Sequence, residues 1–188
     1  MRIAPGIGLL LVAIASLPPL DCLRAEQLPA AGLTVPDAAD MTRDKLAEIA
    51  TWLSDRYSLP RVSDMPAVEL VPADRLVTLR YKGLLPDRRS LGASVEAKRR
   101  IIAVYDDARR TIYLPEGWSG KTLGERSILV HEMVHHLQNL SGQTFECAGA
   151  REKLAYQAHD DWLKANGSDL EKEFEIDLFT VLALALCM

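Results

Sequence analysis

Residues 127–140 read SILVHEMVHHLQNL, a stretch with three of the chain's four histidines. Upstream, Thr122 and Glu125 stand in the capping-box relation, in which the threonine hydroxyl accepts from the Glu125 amide and the glutamate reaches back. Downstream, Ser141-Gly142 supplies a stop, with Gly142 suited to a left-handed cap. Ile128, Leu129, Val134, Leu137 and Leu140 embed the segment, so a helix is expected from the box to about Leu140. On it His131 and His135 lie four residues apart, one ring above the other on one face. Two such rings can grip one zinc ion at about 2.0–2.1 Å. Glu132 follows the first of them, placed to take a proton from water without itself ligating. This H-E-x-x-H pattern pairs two zinc-binding imidazoles with a glutamate base. His136 lies about 100° round the helix from His135 and is expected to pack or to support a ligand. The plainer alternative is a solvated, histidine-rich helix, which leaves the cap and the apolar embedding unexplained.

A catalytic zinc needs a third protein ligand and an open position. The form HExxHxxGxxH would require glycine at 138 and histidine at 141, where the chain has Gln138 and Ser141. The remaining candidates are Glu146, Glu152, His159, Asp160 and Asp161. Glu152 is favoured: it lies in the middle of the next expected helix, and Ala155 on the same face is small enough to let two helices approach. With H-E-x-x-H at 131–135 and EKLAY at 152–156, the chain resembles the gluzincin branch of the zincin metallopeptidases over Ile101 to Leu163, and small secreted bacterial domains of that type. It departs from the larger gluzincins in a shorter interval between the second histidine and the glutamate. The downstream subdomain that carries their transition-state histidine is also missing.

The resemblance implies a minimal zincin-like α+β domain. A small sheet with an edge hairpin precedes the H-E-x-x-H helix, a helix carrying the glutamate ligand and a C-terminal core helix. It also implies Zn2+ on His131, His135 and Glu152, and hydrolysis of peptide bonds with Glu132 as general base. A peptide or protein substrate would pair along Thr111 to Leu114, the expected sheet edge. An oxyanion donor is expected from Tyr156 or His159, which share the face of Glu152; Tyr156 is the choice, and His159 reads as a surface residue. Two other functions fit the residues. One is a secreted zinc-binding structural or interaction domain without turnover, for which a base between the ligands has little use. The other is hydrolysis of cell-wall amides by the same chemistry.

Elsewhere the reading is coarser. Residues 1–25 carry Arg2, an apolar run from Ile7 to Leu17 and then Pro18-Pro19, the layout of a secretory signal peptide cut after Ala25 or Ala30. A lipoprotein anchor at Cys22 is disfavoured by Asp21, and a buried N-terminal helix by the charge-then-apolar order. Residues 26–40 read as a leader and 41–188 as one domain. Export to the periplasm or the medium would leave Cys147 and Cys187 in an oxidising compartment, where they are expected to pair; two free thiols are the alternative. A helix is expected over Thr42 to Tyr57, short strands over Val68 to Leu70 and Leu76 to Tyr81, and a β-hairpin from Ile101–Tyr105 and Thr111–Leu114; Leu91 to Ala97 is ambiguous. Further helices are expected over Cys147 to Ala165 and from a capping box at Ser168–Glu171 toward Met188. A net charge of −4 points away from nucleic acid, and the C-terminal run is too short to span a bilayer.

Overall fold

The computed structural model describes residues 38–81 and 102–187. The expected signal peptide, most of the expected leader and the ambiguous stretch at 91–97 lie outside them. The chain forms α1 (Ala38–Tyr57), β1 (Ala67–Val71), α2 (Ala73–Arg80), β2 (Val104–Asp106) and β3 (Thr111–Pro115). These are followed by α3 (Leu123–Leu140), α4 (Ala148–Ala165), α5 (Leu170–Phe174) and α6 (Leu178–Ala185). The class is α+β, with a three-stranded sheet in the order β1-β3-β2. Among the described residues no helix is long and apolar enough to cross a membrane.

Helix α1 begins at Ala38, inside the expected leader, and buries Leu46, Ile49, Ala50 and Leu53. The segment expected as a strand over Leu76–Tyr81 is instead the end of α2. Pro72 caps that helix in an extended conformation and its carbonyl accepts from Arg75 and Leu76. Leu76 and Leu79 then pack on Val104 and Tyr113, and Val77 is buried as well. The run Leu76-Val77-Thr78-Leu79, with two β-branched residues, suits a strand equally well, and packing against the sheet decided for the helix.

The hairpin forms, its first strand being Val104–Asp106 rather than the expected Ile101–Tyr105, with Tyr105 opposite Ile112 and Asp106 opposite Thr111. Asp106 Oδ1 accepts from the Ala108 and Arg109 amides, and Arg110 sits at φ 50°, closing the turn. Thr111–Leu114 is not the sheet edge, however. β1 runs parallel to β3 on its other side, pairing Ala67 with Thr111 through to Val71 with Pro115. Thr111 to Leu114 are all buried, as in a strand covered on both faces. The hairpin does reach an edge, but through β2.

Helix α3 packs between α1, β2 and α4, with Leu129, Val130, Met133, Val134 and Leu137 almost wholly buried. Its capping box is present: Glu125 N donates to Thr122 Oγ1 at 3.1 Å and Thr122 N to Glu125 Oε2 at 3.2 Å. The Ser119 hydroxyl, then the Ser119, Thr122 and Lys121 amides, also donate to Glu125 and hold its pKa down to about 2. A carboxyl depressed on folding adds stability above its unfolded pKa and loses it as pH falls. Glu125→Gln is therefore expected to lower Tm at pH 7, with a gap from the parent that narrows between about pH 5 and pH 2. Thermal melts at pH 7 and pH 3 measure both gaps, and a gap that widens in acid would refute this assignment. The helix ends where Gly142, at φ 67°, lets Gln143 N donate back to Gln138 O.

Helix α4 lies beside α3 and closes in the same way, with Gly167 at φ 85° and Ser168 N donating to Leu163 O. Two expectations for the C-terminus need correction. Asp169, not Ser168, caps the next helix, accepting from Lys172 N at 2.9 Å, while the Ser168 hydroxyl donates to Glu173. The final helix is also broken at Glu175, in the left-handed region at φ 56°, and α6 restarts on an Asp177 cap. None of α6 is buried: Leu178 and Phe179 are 75% and 79% exposed. This is therefore not a core helix. The α3 and sheet core is already covered by α1 and α4, leaving α6 only the flank of α4.

The Cys147–Cys187 disulfide holds that end, with Cα atoms 5.6 Å apart. Cys147 also caps α4, its sulfur accepting from Ala150 N, and Gly149 lets the Leu186 carbonyl lie against the first turn. The bridge closes a 40-residue separation, for which chain entropy assigns about 4 kcal/mol. Cys187→Ser is expected to lower unfolding stability by about 2–4 kcal/mol in urea titrations. Reduction of the parent should give the same loss; an unchanged midpoint would show that α6 is held by other contacts.

Candidate metal centre

The antiparallel seam of α3 and α4 sets the site. Ser127 faces His159, His131 faces Tyr156, and Glu152 lies against both His131 and His135. His131 Nε2 is 3.1 Å from Glu152 Oε2, His135 Nε2 is 3.4 Å from it, and the two Nε2 atoms are 3.2 Å apart. Ligands at 2.0–2.1 Å around a tetrahedral ion stand about 3.3–3.4 Å apart, so the three atoms nearly form one face of such a tetrahedron. Among the described residues this is the cluster that can hold a metal ion. Burial alone would raise the Glu152 carboxyl, but hydrogen bonds and charge from His131 and His135 hold it well below the usual carboxylate range.

Two of the three candidate ligand residues, His135 and Glu152, are held from outside. His135 Nδ1 faces Gln138 Oε1 at 3.2 Å and donates to it, since a carbonyl oxygen only accepts. That leaves the His135 Nε2 lone pair facing His131 and Glu152. Arg151 Nε also donates to Gln138 Oε1, its Nη2 donates to the His135 carbonyl, and Asp107 holds the guanidinium at 2.6 and 2.7 Å. Arg80, ending α2, reaches Glu152 Oε1 at 3.5 Å with both terminal nitrogens. Sequence reading missed these supports. Gln138, at i+3 from His135, was legible in principle. Asp107 and Arg80 lie 44 and 72 residues from their partners, with no local signal.

Glu132 is buried beside the cluster with no hydrogen bond to another described side chain, and loss of solvent raises its pKa. Tyr156 stacks edge-on against His131 at 4.7 Å between ring centroids, and burial, then the Glu152 charge, push its pKa up to about 12. Both line a cavity of about 170 Å³ with His131, His135, Glu152 and Arg80. Ile102, Ala103 and Tyr105 form its β2 side.

The other candidates are placed elsewhere. Glu146 is exposed, Asp160 accepts from Leu170 N and Lys164, and Asp161 accepts from Tyr57 at 2.6 Å. His136 is packed, as expected: its Nε2 donates to Asp64 O, and its Nδ1 accepts from the Tyr105 hydroxyl at 2.9 Å. Burial lowers its pKa. His159 is not a surface residue. It is 5% exposed and wedged between His131 and Phe174, and its pKa is held well below the usual value by burial and then by His131. The helical period had put it on the Glu152 face, but which elements cover that face was not local information.

A family model described as "Domain of unknown function (DUF6647)" matches residues 38–187. The chain belongs to the DUF6647 family. The matched span runs from the first residue of α1 through Cys187, so this DUF6647 domain includes the group that could hold a metal, its supports and the disulfide. No curated protein and no solved structure matches it.

Proposed function

We propose that this DUF6647 protein is an exported, zinc-dependent peptidase of gluzincin-like type. The observation that carries the reading is the convergence of His131, His135 and Glu152 at tetrahedral spacing, with Glu132 facing the same cavity. Two imidazole nitrogens and one carboxylate oxygen form a donor set suited to zinc, and three protein ligands leave a position open. Zinc in such a site supplies Lewis acidity and the means to ionise water near neutral pH.

The remaining work falls to the chain's own groups. Glu132 accepts a proton from the attacking water and returns it to the leaving amine; its raised pKa suits a group that must both take and give. The Tyr156 hydroxyl keeps its proton at neutral pH and lines the cavity, where it donates to the oxyanion. An extended peptide pairs with β2 rather than β3, because among the described strands β2 lies at an edge and the approach through Ile102 and Ala103 lines the cavity. The disulfide and the signal-like residues 1–25 support export to the periplasm or the medium. A zinc-holding interaction module without turnover is the second reading, and the buried Glu132 beside the ligands speaks against it.

The test is metal content and turnover together. The domain is expected to hold about one zinc per chain and to cleave members of a peptide library. Activity should disappear with a chelator and return with added zinc. Stoichiometric zinc with no cleavage would favour the binding module, and a folded domain that takes up no zinc would end both readings.

A further inference from the structure

His159 and His131 have complementary unmet hydrogen-bonding needs. The Ser127 hydroxyl lies 2.7 Å from the Gly124 carbonyl, which can only accept, so Ser127 spends its hydrogen there. His159 Nε2 lies 2.7 Å from the same Ser127 oxygen and must therefore donate to it. The second nitrogen of the neutral ring, Nδ1, is left with a lone pair. Among the described residues His159 Nδ1 is the buried side-chain polar atom without a hydrogen-bond partner, a deficit that costs on the order of 1–3 kcal/mol.

One turn along α3, His131 lacks the opposite. When its Nε2 ligates, the ring hydrogen sits on Nδ1, and no described residue accepts it. Metal-ligating histidines ordinarily donate that hydrogen to an outer partner, as His135 does to Gln138. The His131 and His159 ring centroids are 5.8 Å apart, with planes at 71°. Two imidazoles joined by an N–H···N bond of ordinary length hold their centroids roughly 5.2–5.5 Å apart. The observed centroid separation is within about half an ångström of that range.

We propose that His159 is the positioning partner of His131, its Nδ1 accepting the His131 Nδ1–H when the metal is bound. The inference rests on the metal-centre reading above. The chain then runs from the metal ligand through His159 and Ser127 Oγ to the Gly124 carbonyl, and sets the tautomer of every ring along it. Helix α4 thus carries both a ligand, Glu152, and the support for another, seven residues later. The partner is an uncharged ring that packs edge-on against Phe174.

The experiment measures zinc affinity by chelator competition for the parent, His159→Phe and Ser127→Ala, with the His131 ring N–H followed by NMR in the zinc-loaded parent. His159→Phe keeps an aromatic ring against Phe174 and should weaken zinc binding about 10–100-fold. Ser127→Ala keeps the imidazole and its packing and should weaken binding less, in the same direction. In the loaded parent the His131 Nδ1–H should be protected from exchange, and in His159→Phe it should not. A purely packing role predicts a lower apo Tm with unchanged zinc affinity, and that result overturns the proposal. So does an Nδ1–H that exchanges as freely in the parent as in His159→Phe. If His159→Phe fails to fold, Ser127→Ala and the parent spectrum decide. Glu152→Ala separates this inference from the centre itself: loss of zinc there with full retention in His159→Phe leaves the centre standing and ends this proposal, whereas a folded parent that takes up no zinc ends both.

Discussion

Glu152→Ala is expected to empty the site of zinc. The carboxylate is one of the three groups that could hold the metal, and it is the anionic one, held 3.1 and 3.4 Å from the two imidazole nitrogens. Loss of an outer partner of a zinc ligand costs about 10–100-fold in affinity, and loss of the ligand itself should exceed that. Zinc per chain after dialysis is the direct measurement, with chelator competition giving the size of the change. The variant should still fold: Arg80, the cation left behind, is half exposed and can be solvated. Zinc retained at the parent's level would place the third ligand elsewhere and remove the basis for the gluzincin-like reading.

Glu132→Gln should act in the opposite way, leaving the metal and removing turnover. Glu132 is not among the residues that could hold the metal, and its amide isostere fits the same buried space. It cannot take up a proton, however, and general base catalysis is worth typically 10²–10⁴-fold. The expected result is an equal zinc content with kcat lower by that factor and the fold unchanged by circular dichroism. Equal turnover in the variant would move the base to another group. Together the two variants form a dissociation, metal without activity and neither metal nor activity, that a zinc-binding module would not produce.

The legibility of this fold follows the range of the interactions. Helix α3 could be read almost to the residue, because its cap joins residues three apart and its histidines lie one turn apart. The Gly142 stop is similarly local, and the Cys147–Cys187 pair was readable because only two cysteines remain once residues 1–25 are set aside. Where two local readings had similar intrinsic preference, the sequence could not choose. Leu76 to Arg80 became helix because one face packs on Val104 and Tyr113, and the C-terminal run split at Glu175 where a continuous apolar pattern had suggested one buried helix.

The site divides in the same way. H-E-x-x-H determined by itself that two imidazoles would share a helix face with a glutamate beside them, since helical geometry leaves no other arrangement. Five residues were open as the third ligand. Spacing and the small Ala155 already favoured Glu152, but only the docking of α4 on α3 brought its carboxylate against both histidines, tied Asp160 to Leu170 N and Asp161 to Tyr57, and buried His159 beside His131. The central position of β3 was likewise decided by its parallel pairing with β1, more than forty residues earlier. Periodicity and caps depend on neighbours within one turn, and these the chain carries in its order. Ligand convergence, strand neighbours and burial depend on which distant surfaces meet, and that was decided by the packing of the whole domain.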